Sequence, residues 1–162
     1  MIIDVSQVIT NEGTVKVIEG EICLSDMSFN GMDISFSAPV RVSGDVKNVS
    51  GVLCLELECS AQFVTKCGRC LDDVSESLDF EVHEQLSKVE SGEDVIVIDS
   101  SELDLDELVI SAFCSELPIN YLCSEDCKGL CHVCGCNLNH TTCDCEDDYI
   151  DPRLAALKNF LK

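Results

Sequence analysis

Tryptophan is absent from this 162-residue sequence, aromatic residues make up 5% of it, and there are three prolines. A core must therefore be aliphatic, and Val, Leu and Ile supply it within a hydrophobic fraction of 46%. Basic residues are equally scarce. Ten Lys and Arg stand against thirty-one Asp and Glu, a formal net charge of −21. Non-specific affinity for nucleic acid comes from Lys and Arg displacing phosphate counterions, so direct, tight RNA or DNA binding is disfavoured. A basic protein partner suits this field better. Apolar runs are short, none approaching the roughly 20 residues that span a bilayer, which argues against a membrane helix. The opening MIIDVSQVIT lacks the basic start and long apolar stretch of a secretory signal. The expectation is a soluble, cytoplasmic protein with no membrane association.

What the sequence does have is cysteine: thirteen residues, seven of them between positions 123 and 145. In a reducing compartment that usage reads as metal binding rather than as a disulfide framework. An odd count also leaves one thiol over in any disulfide scheme. The length suits one domain with a small appendage, and such a chain buries about two-thirds of its unfolded surface without crosslinks. The expected division is a β-rich part with one helix over 1–122 and a cysteine-rich segment with a terminal helix over 123–162.

Residues 1 to about 90 carry the period-two pattern of antiparallel strands. In VLCLELECSAQFVTKC, Leu53, Leu55, Leu57, Cys59, Ala61 and Phe63 alternate with Cys54, Glu56, Glu58, Ser60 and Gln62. Val74, Leu78, Phe80 and Val82 repeat the pattern, so the two runs predict a long hairpin with Cys67 and Cys70 near its tip. Shorter strands are expected around 14–22, 31–37 and 39–47, a turn at Ser50-Gly51, and a further strand at Val95–Ile98. The period then changes. Leu105, Leu108, Val109 and Ala112 share a helical face, Asp104 with Glu107 makes a capping-box-like start, and Pro118 ends the helix. A terminal helix is expected from Asp151 as N-cap and Pro152 as first helical residue, with Leu154, Leu157 and Leu161 on one face. The fold class is α+β: mainly an antiparallel sheet or partly open barrel with a long hairpin, one central helix, a zinc-binding cysteine-rich segment and a terminal helix.

The cysteine-rich segment reads CSEDCKGLCHVCGCNLNHTTCDC. Its centre, Cys131-His132-Val133-Cys134-Gly135, places two thiolates where a tight turn lets both grip one ion, and the glycine permits the turn. Two more ligands complete a tetrahedron. Either Cys143 and Cys145 or Cys123 and Cys127 can supply them. Zinc is favoured over an iron–sulfur cluster because it takes four thiolates readily, and a closed four-sulfur shell makes the metal structural. The intervening residues are too polar to form a core, so an ion would supply the missing folding free energy. His132 and His140 are expected to be exposed or hydrogen-bonded, and Cys136 is the expected spare. Cys67-Gly68-Arg69-Cys70 is either half a zinc site, a structural pair, or a redox pair activated by Lys66 and Arg69. Cys23, Cys54, Cys59 and Cys114 fall in strand or helix patterns and read as core.

CGRCL at 67–71, CKGLCHVCGCNLN at 127–139, CDC at 143–145 and DPRLAAL at 151–157 follow one another in this order. Together they resemble the YceD family, the large-ribosomal-RNA-subunit accumulation proteins, over nearly the whole chain. The resemblance implies a non-enzymatic factor supporting large-subunit ribosomal RNA accumulation or processing and ribosome assembly. It carries over Cys67, Cys70, Cys123, Cys127, Cys131, Cys134, Cys143 and Cys145 as metal ligands, for one zinc ion or two. Members of the family differ in whether they retain the C-terminal cysteines, which implies a metal that supports the fold. This sequence departs from the family pattern in two places: His132 replaces a common proline, and Cys136 stands where no thiol is expected. Combined with the net charge, the resemblance points to basic ribosomal or assembly proteins as partners. The competing reading is a thiol-based redox or metal sensor using Cys67, Cys70 and the C-terminal cluster.

Overall fold

The computed structural model describes residues 1–87, 95–98 and 101–145. In chain order its elements are β1 (Ile2–Asp4), α1 (Ser6–Thr10), β2 (Val15–Ile22), β3 (Met27–Phe29), β4 (Met32–Phe36), β5 (Val40–Val49), β6 (Val52–Lys66), β7 (Asp73–Ser87), β8 (Val95–Val97), β9 (Glu102–Asp104) and α2 (Leu105–Glu116).

The alternation in the two long runs becomes the β6–β7 hairpin, antiparallel from Leu53↔Leu86 to Lys66↔Asp73. On its other edge β6 pairs with β5 through Arg41↔Ser60 to Val49↔Val52, and Ser50 and Gly51 form the turn between them. β2 extends the sheet beyond β5, and β8 adds a parallel strand beyond β7. Further along β6, β4 takes over the edge that β5 leaves, at Ser35↔Val64 and Phe36↔Phe63, and carries β3. The result is an open, mostly antiparallel sheet, and β1 with β9 makes a separate two-stranded ribbon.

One face of the sheet is the core. Every second residue of β6 from Leu53 to Thr65 is buried, as are Val40, Val42 and Val46 of β5 and Phe80, Val82 and Leu86 of β7. α2 covers this face by burying Leu105, Val109 and Phe113. Its N-cap is Asp104, whose carboxylate accepts from the Asp106 amide at 3.0 Å. The few aromatics are concentrated here: the Phe113 ring lies 5.3 Å from Phe36, 5.3 Å from Phe63 and 5.6 Å from Phe80. Tyr121 packs on Phe63 at 5.6 Å, so the chain leaving α2 is tied to the same cluster.

Two expectations need correction. A single helix was expected in the β-rich part, but the described residues also contain α1. It spans five residues with no side-chain N-cap, too short for a helical period to register. Asn48, buried on β5, holds its C-terminal end by donating to the carbonyls of Val8 at 2.8 Å and Ile9 at 3.2 Å. Secondly, Cys23 is exposed, because β2 ends at Ile22. Cys54 and Cys114 are half-buried, and only Cys59 of the four lies fully in the core, where burial pushes its thiol up to about 11. The terminal helix expected over 151–162 lies outside the described residues. Among the described residues no helix is long and apolar enough to cross a membrane.

Candidate metal centres

The long hairpin delivers two thiols to its far end. After Lys66 the chain closes a tight tip in which the Cys67 amide donates to the Asp72 carbonyl (2.8 Å) and the Leu71 amide to the Cys67 carbonyl (3.0 Å). Cys67 and Cys70 are buried inside this tip. The segment after α2 then runs along it: Cys67 bridges Tyr121 in parallel, and the Gly68 amide donates to the Tyr121 carbonyl at 2.9 Å. That alignment brings Cys123 and Cys127 over the tip. The four sulfurs of Cys67, Cys70, Cys123 and Cys127, here called site A, lie within 4.8 Å of one another.

The sulfur spacing suits a group that could hold a metal ion and is too long for a bonded disulfide. Cys67 and Cys127 sulfurs are 3.8 Å apart, and those of Cys70 and Cys123 3.5 Å. A disulfide requires about 2.05 Å. Tetrahedral zinc with Zn–S bonds of about 2.3 Å sets its sulfurs about 3.8 Å apart, which these pairs approach. All thirteen cysteines are free thiols.

Polar groups hold the arrangement together. The Arg69 amide donates to Cys67 Sγ at 3.4 Å, and its guanidinium donates to the carbonyls of Cys127 (3.0 Å) and Glu125 (3.3 Å). The Leu130 amide returns to the Arg69 carbonyl at 3.2 Å. Gly129 sits where the two segments press closest. Its φ is +74°, and a Cβ there would meet the Arg69 carbonyl oxygen at 3.2 Å.

A second group, site B, follows directly. The sulfurs of Cys131, Cys134, Cys136 and Cys143 also lie within 4.8 Å of one another. The expected turn is present: the Gly135 amide donates to the Cys131 carbonyl at 2.8 Å, with Gly135 at φ +72°. The Val133 amide donates to Cys131 Sγ at 3.4 Å, matching the Arg69 amide over Cys67. Both turns thus present a backbone N–H to the first sulfur of a C-x-x-C pair.

The residues between and around the cysteines link the two sites. Asn139 accepts from the Lys128 amide at 2.8 Å and donates its side-chain N–H to Cys127 Sγ at 3.3 Å. Asp72 at the hairpin tip receives the Asn137 side chain at 2.9 Å, Cys70 Sγ at 3.4 Å and His140 Nε2 at 3.1 Å. The Asn137-Leu138-Asn139 run, which the sequence offers only as part of a motif, is therefore a polar brace of site A. Asp72, Asn137, Asn139, Arg69 and Gly129 were not foreseen as supporting residues. The spacing of the N-L-N run beside the cysteines was the one available signal.

The thiols divide their protons unevenly. Burial alone would push Cys67 up, but hydrogen bonds with the backbone of Cys123, Cys70 and Arg69 outweigh it and bring the thiol down to about 6. Asn139 is the main cause that lowers Cys127. Cys70 is favoured as thiolate by the Asp72 backbone, yet burial and its bonds to the neighbouring sulfurs push it up overall. Cys123 is raised, chiefly by Cys127. In site B, the backbone amides of Cys134 and Val133 bring Cys131 down to about 6, while Cys136 is pushed up to about 11 by Cys134. Four thiolates cannot share so small a volume without a cation. In site A Cys67 and Cys127 are lowered while Cys70 and Cys123 are raised, so the first pair takes up negative charge more readily and a divalent ion would displace the protons of the second.

Seven of the eight expected ligands fall on these two sites. Cys67 and Cys70 meet Cys123 and Cys127 in site A. Cys131, Cys134 and Cys143 lie in site B, whereas Cys145 is outside its quartet of sulfurs. Cys136, expected as the spare, sits within site B. His140 is exposed and bound to Asp72.

A family model described as "Large ribosomal RNA subunit accumulation protein YceD" matches residues 55–161, a stretch that contains both sites. An uncharacterized protein of Mycobacterium leprae is 31% identical over 140 residues, covering 79% of this chain and 62% of the relative. The uncharacterized protein YlbN of Bacillus subtilis is 26% identical over 145 residues, covering 86% of this chain and 84% of its own length. An uncharacterized protein of Mycobacterium tuberculosis is 31% identical over 124 residues, covering 72% of this chain and 59% of the relative. This chain thus spans about three-fifths of the mycobacterial relatives. No solved structure matches it.

Proposed function

The chain belongs to the YceD family, and from that premise we propose that it is a non-enzymatic cytoplasmic factor supporting large-subunit ribosomal RNA accumulation. The observation that carries the mechanical part of this reading is site A. Two of its ligands come from the hairpin tip and two from a segment some 60 residues later, so one ion would rivet the cysteine-rich segment to the sheet. Zinc is the ion that suits this donor set, since it takes four thiolates in a closed tetrahedron. A closed shell leaves no position for a reacting water, which supports a structural role for the metal.

Charge supports a basic protein as the partner. The outer face of the sheet is a shallow concavity of about 740 Å³ lined by Glu19, Glu21, Glu58, Asp79 and Glu81, with Arg41 as its cation. Register places Glu58 beside Glu81, and Glu21 beside Arg41. An acidic face of this kind attracts Lys- and Arg-rich segments of ribosomal or assembly proteins and repels phosphate. The sensor reading finds less support, because Cys67, Cys70, Cys127 and Cys131 are buried, whereas sensor thiols need access to their oxidant.

Depletion of the protein followed by re-supply tests the reading. The ratio of large- to small-subunit ribosomal RNA should fall and recover, and an unchanged ratio would refute the role. Tagged full-length chain should retain basic ribosomal or assembly proteins in a salt-sensitive manner. Sub-micromolar binding to large-subunit RNA at physiological salt would overturn the partner assignment.

A further inference from the structure

Among the described residues β2 pairs on one side only, with β5, and so ends the sheet. It has eight residues, whereas β3 and β8, at the other ends, have three each. Its register is unbroken from Val15↔Lys47 to Ile22↔Val40, and neither a bulge nor a proline blunts it. The Thr14 carbonyl accepts from the Asn48 amide at 3.2 Å. Bonded and non-bonded pairs alternate along an antiparallel ladder. Lys16, Ile18, Gly20 and Ile22 therefore direct their backbone groups at β5, and Val15, Val17, Glu19 and Glu21 point theirs away from the sheet.

The same alternation sets the side chains. Val15, Val17, Glu19 and Glu21 are all exposed, the two valines by 56% and 70%. A strand added antiparallel would place a side chain beside each of these four, apolar ones suiting the valines and basic ones the glutamates. Between α1 and the start of β2, a cavity of about 250 Å³ lined by Asp4, Gln7, Val8, Thr14, Val15 and Lys16 has room for a side chain from the other face of such a strand.

Charge decides the occupant. A second copy of the chain would bring a further net charge of −21 to this edge. A basic segment would meet Glu19 and Glu21, which also line the acidic concavity of the outer face. We propose that β2 binds its partner by strand addition, an extended segment pairing antiparallel with residues 15–21, basic beside Glu19 and Glu21 and apolar beside Val15 and Val17. The proposal rests on the reading above of a basic protein partner and adds how that partner is held. Main-chain hydrogen bonds supply affinity, and the alternating side chains supply specificity.

The test titrates a capped synthetic peptide, Lys-Thr-Lys-Thr-Val-Thr-Val, into the full chain and follows amide exchange by NMR. Exchange at the Val15, Val17, Glu19 and Glu21 amides should slow by at least about tenfold on binding. A peptide N-methylated at its Lys and Val positions keeps the charge but cannot donate, and should bind at least about tenfold more weakly. So should the wild-type peptide to Val17→Pro, whose lost N–H points away from β5, with protected β6 amides reporting an intact sheet. Equal binding of the methylated peptide, or binding without protection at those four amides, would overturn strand addition and leave the charge reading standing. A peptide with Glu in place of Lys that binds as tightly would overturn the basic-partner reading itself. Protection of the four amides without peptide, in a chain that dimerises, would overturn the proposal by making a second copy the occupant.

Discussion

Replacing Asn139 by Ala removes one side chain and two hydrogen bonds, and its consequence at site A can be worked from the geometry. The Asn139 amide donates to Cys127 Sγ at 3.3 Å and accepts from the Lys128 amide at 2.8 Å. It is also the first cause of the lowered Cys127 thiol. The alanine leaves the Lys128 amide without its partner and takes a donor away from the sulfur that would carry charge toward the ion. Outer-shell partners of this kind are worth about 10–100-fold in metal affinity. Asn139→Asp should be worse, because it keeps the acceptor for Lys128 but sets a carboxylate against a thiolate. The assay is chelator competition in a background carrying both Cys131→Ser and Cys134→Ser, so that site A alone is filled. Site A affinity should drop by about 10–100-fold for Asn139→Ala and further for Asn139→Asp. An affinity within about two-fold of the parent for Asn139→Ala would refute the assignment of this side chain as a brace.

Gly129→Ala forces a side chain onto a φ of +74° and into the Arg69 carbonyl, and should cost about 1–3 kcal/mol of folding stability in a denaturant titration. Near neutral pH, Cys67, at about 6, is a thiolate in site A and the raised Cys70 and Cys123 keep their protons, while Asn139 lowers Cys127 from its ordinary value. Zinc binding there should release at least about two protons, so affinity should fall at least about 100-fold for each pH unit of acidification. The metal-free chain shifts in the same direction: the depressed Cys67 stabilises the fold fully above its ordinary value of 9.0 and loses that contribution as pH falls through about 6. Calorimetry in buffers of different ionisation heat measures the protons released, and a pH-independent affinity would contradict the division of charge.

The strands were legible because the sheet buries one face. Leu53 through Phe63 could alternate cleanly only if every second side chain met the core, and the same constraint exposed Val74 through Val82 as its partner. α2 was legible from its N-cap and from the apolar spacing of Leu105 and Val109, whereas α1 offered five residues and no cap. The pairing of cysteines was not readable in the same way. Spacing reveals that Cys131 and Cys134 can grip one ion, but whether Cys123 and Cys127 close that ion or reach the hairpin depends on where Tyr121 runs. That path is set by its bridge to Cys67 and its packing on Phe63. The braces were hidden for a related reason. Asn137 and Asn139 act on Asp72 and Cys127, 65 and 12 positions away, through contacts that only the docked segment creates.

The central claim is that two closed thiol sites hold the cysteine-rich segment, one of them riveting it to the hairpin. Zinc content per chain, measured on full-length protein purified without chelators, tests it most directly when wild type is set beside Cys67→Ser. Two ions in the wild type and one in the variant are predicted. A wild type with none, or a Cys67→Ser chain that still holds two, would contradict it.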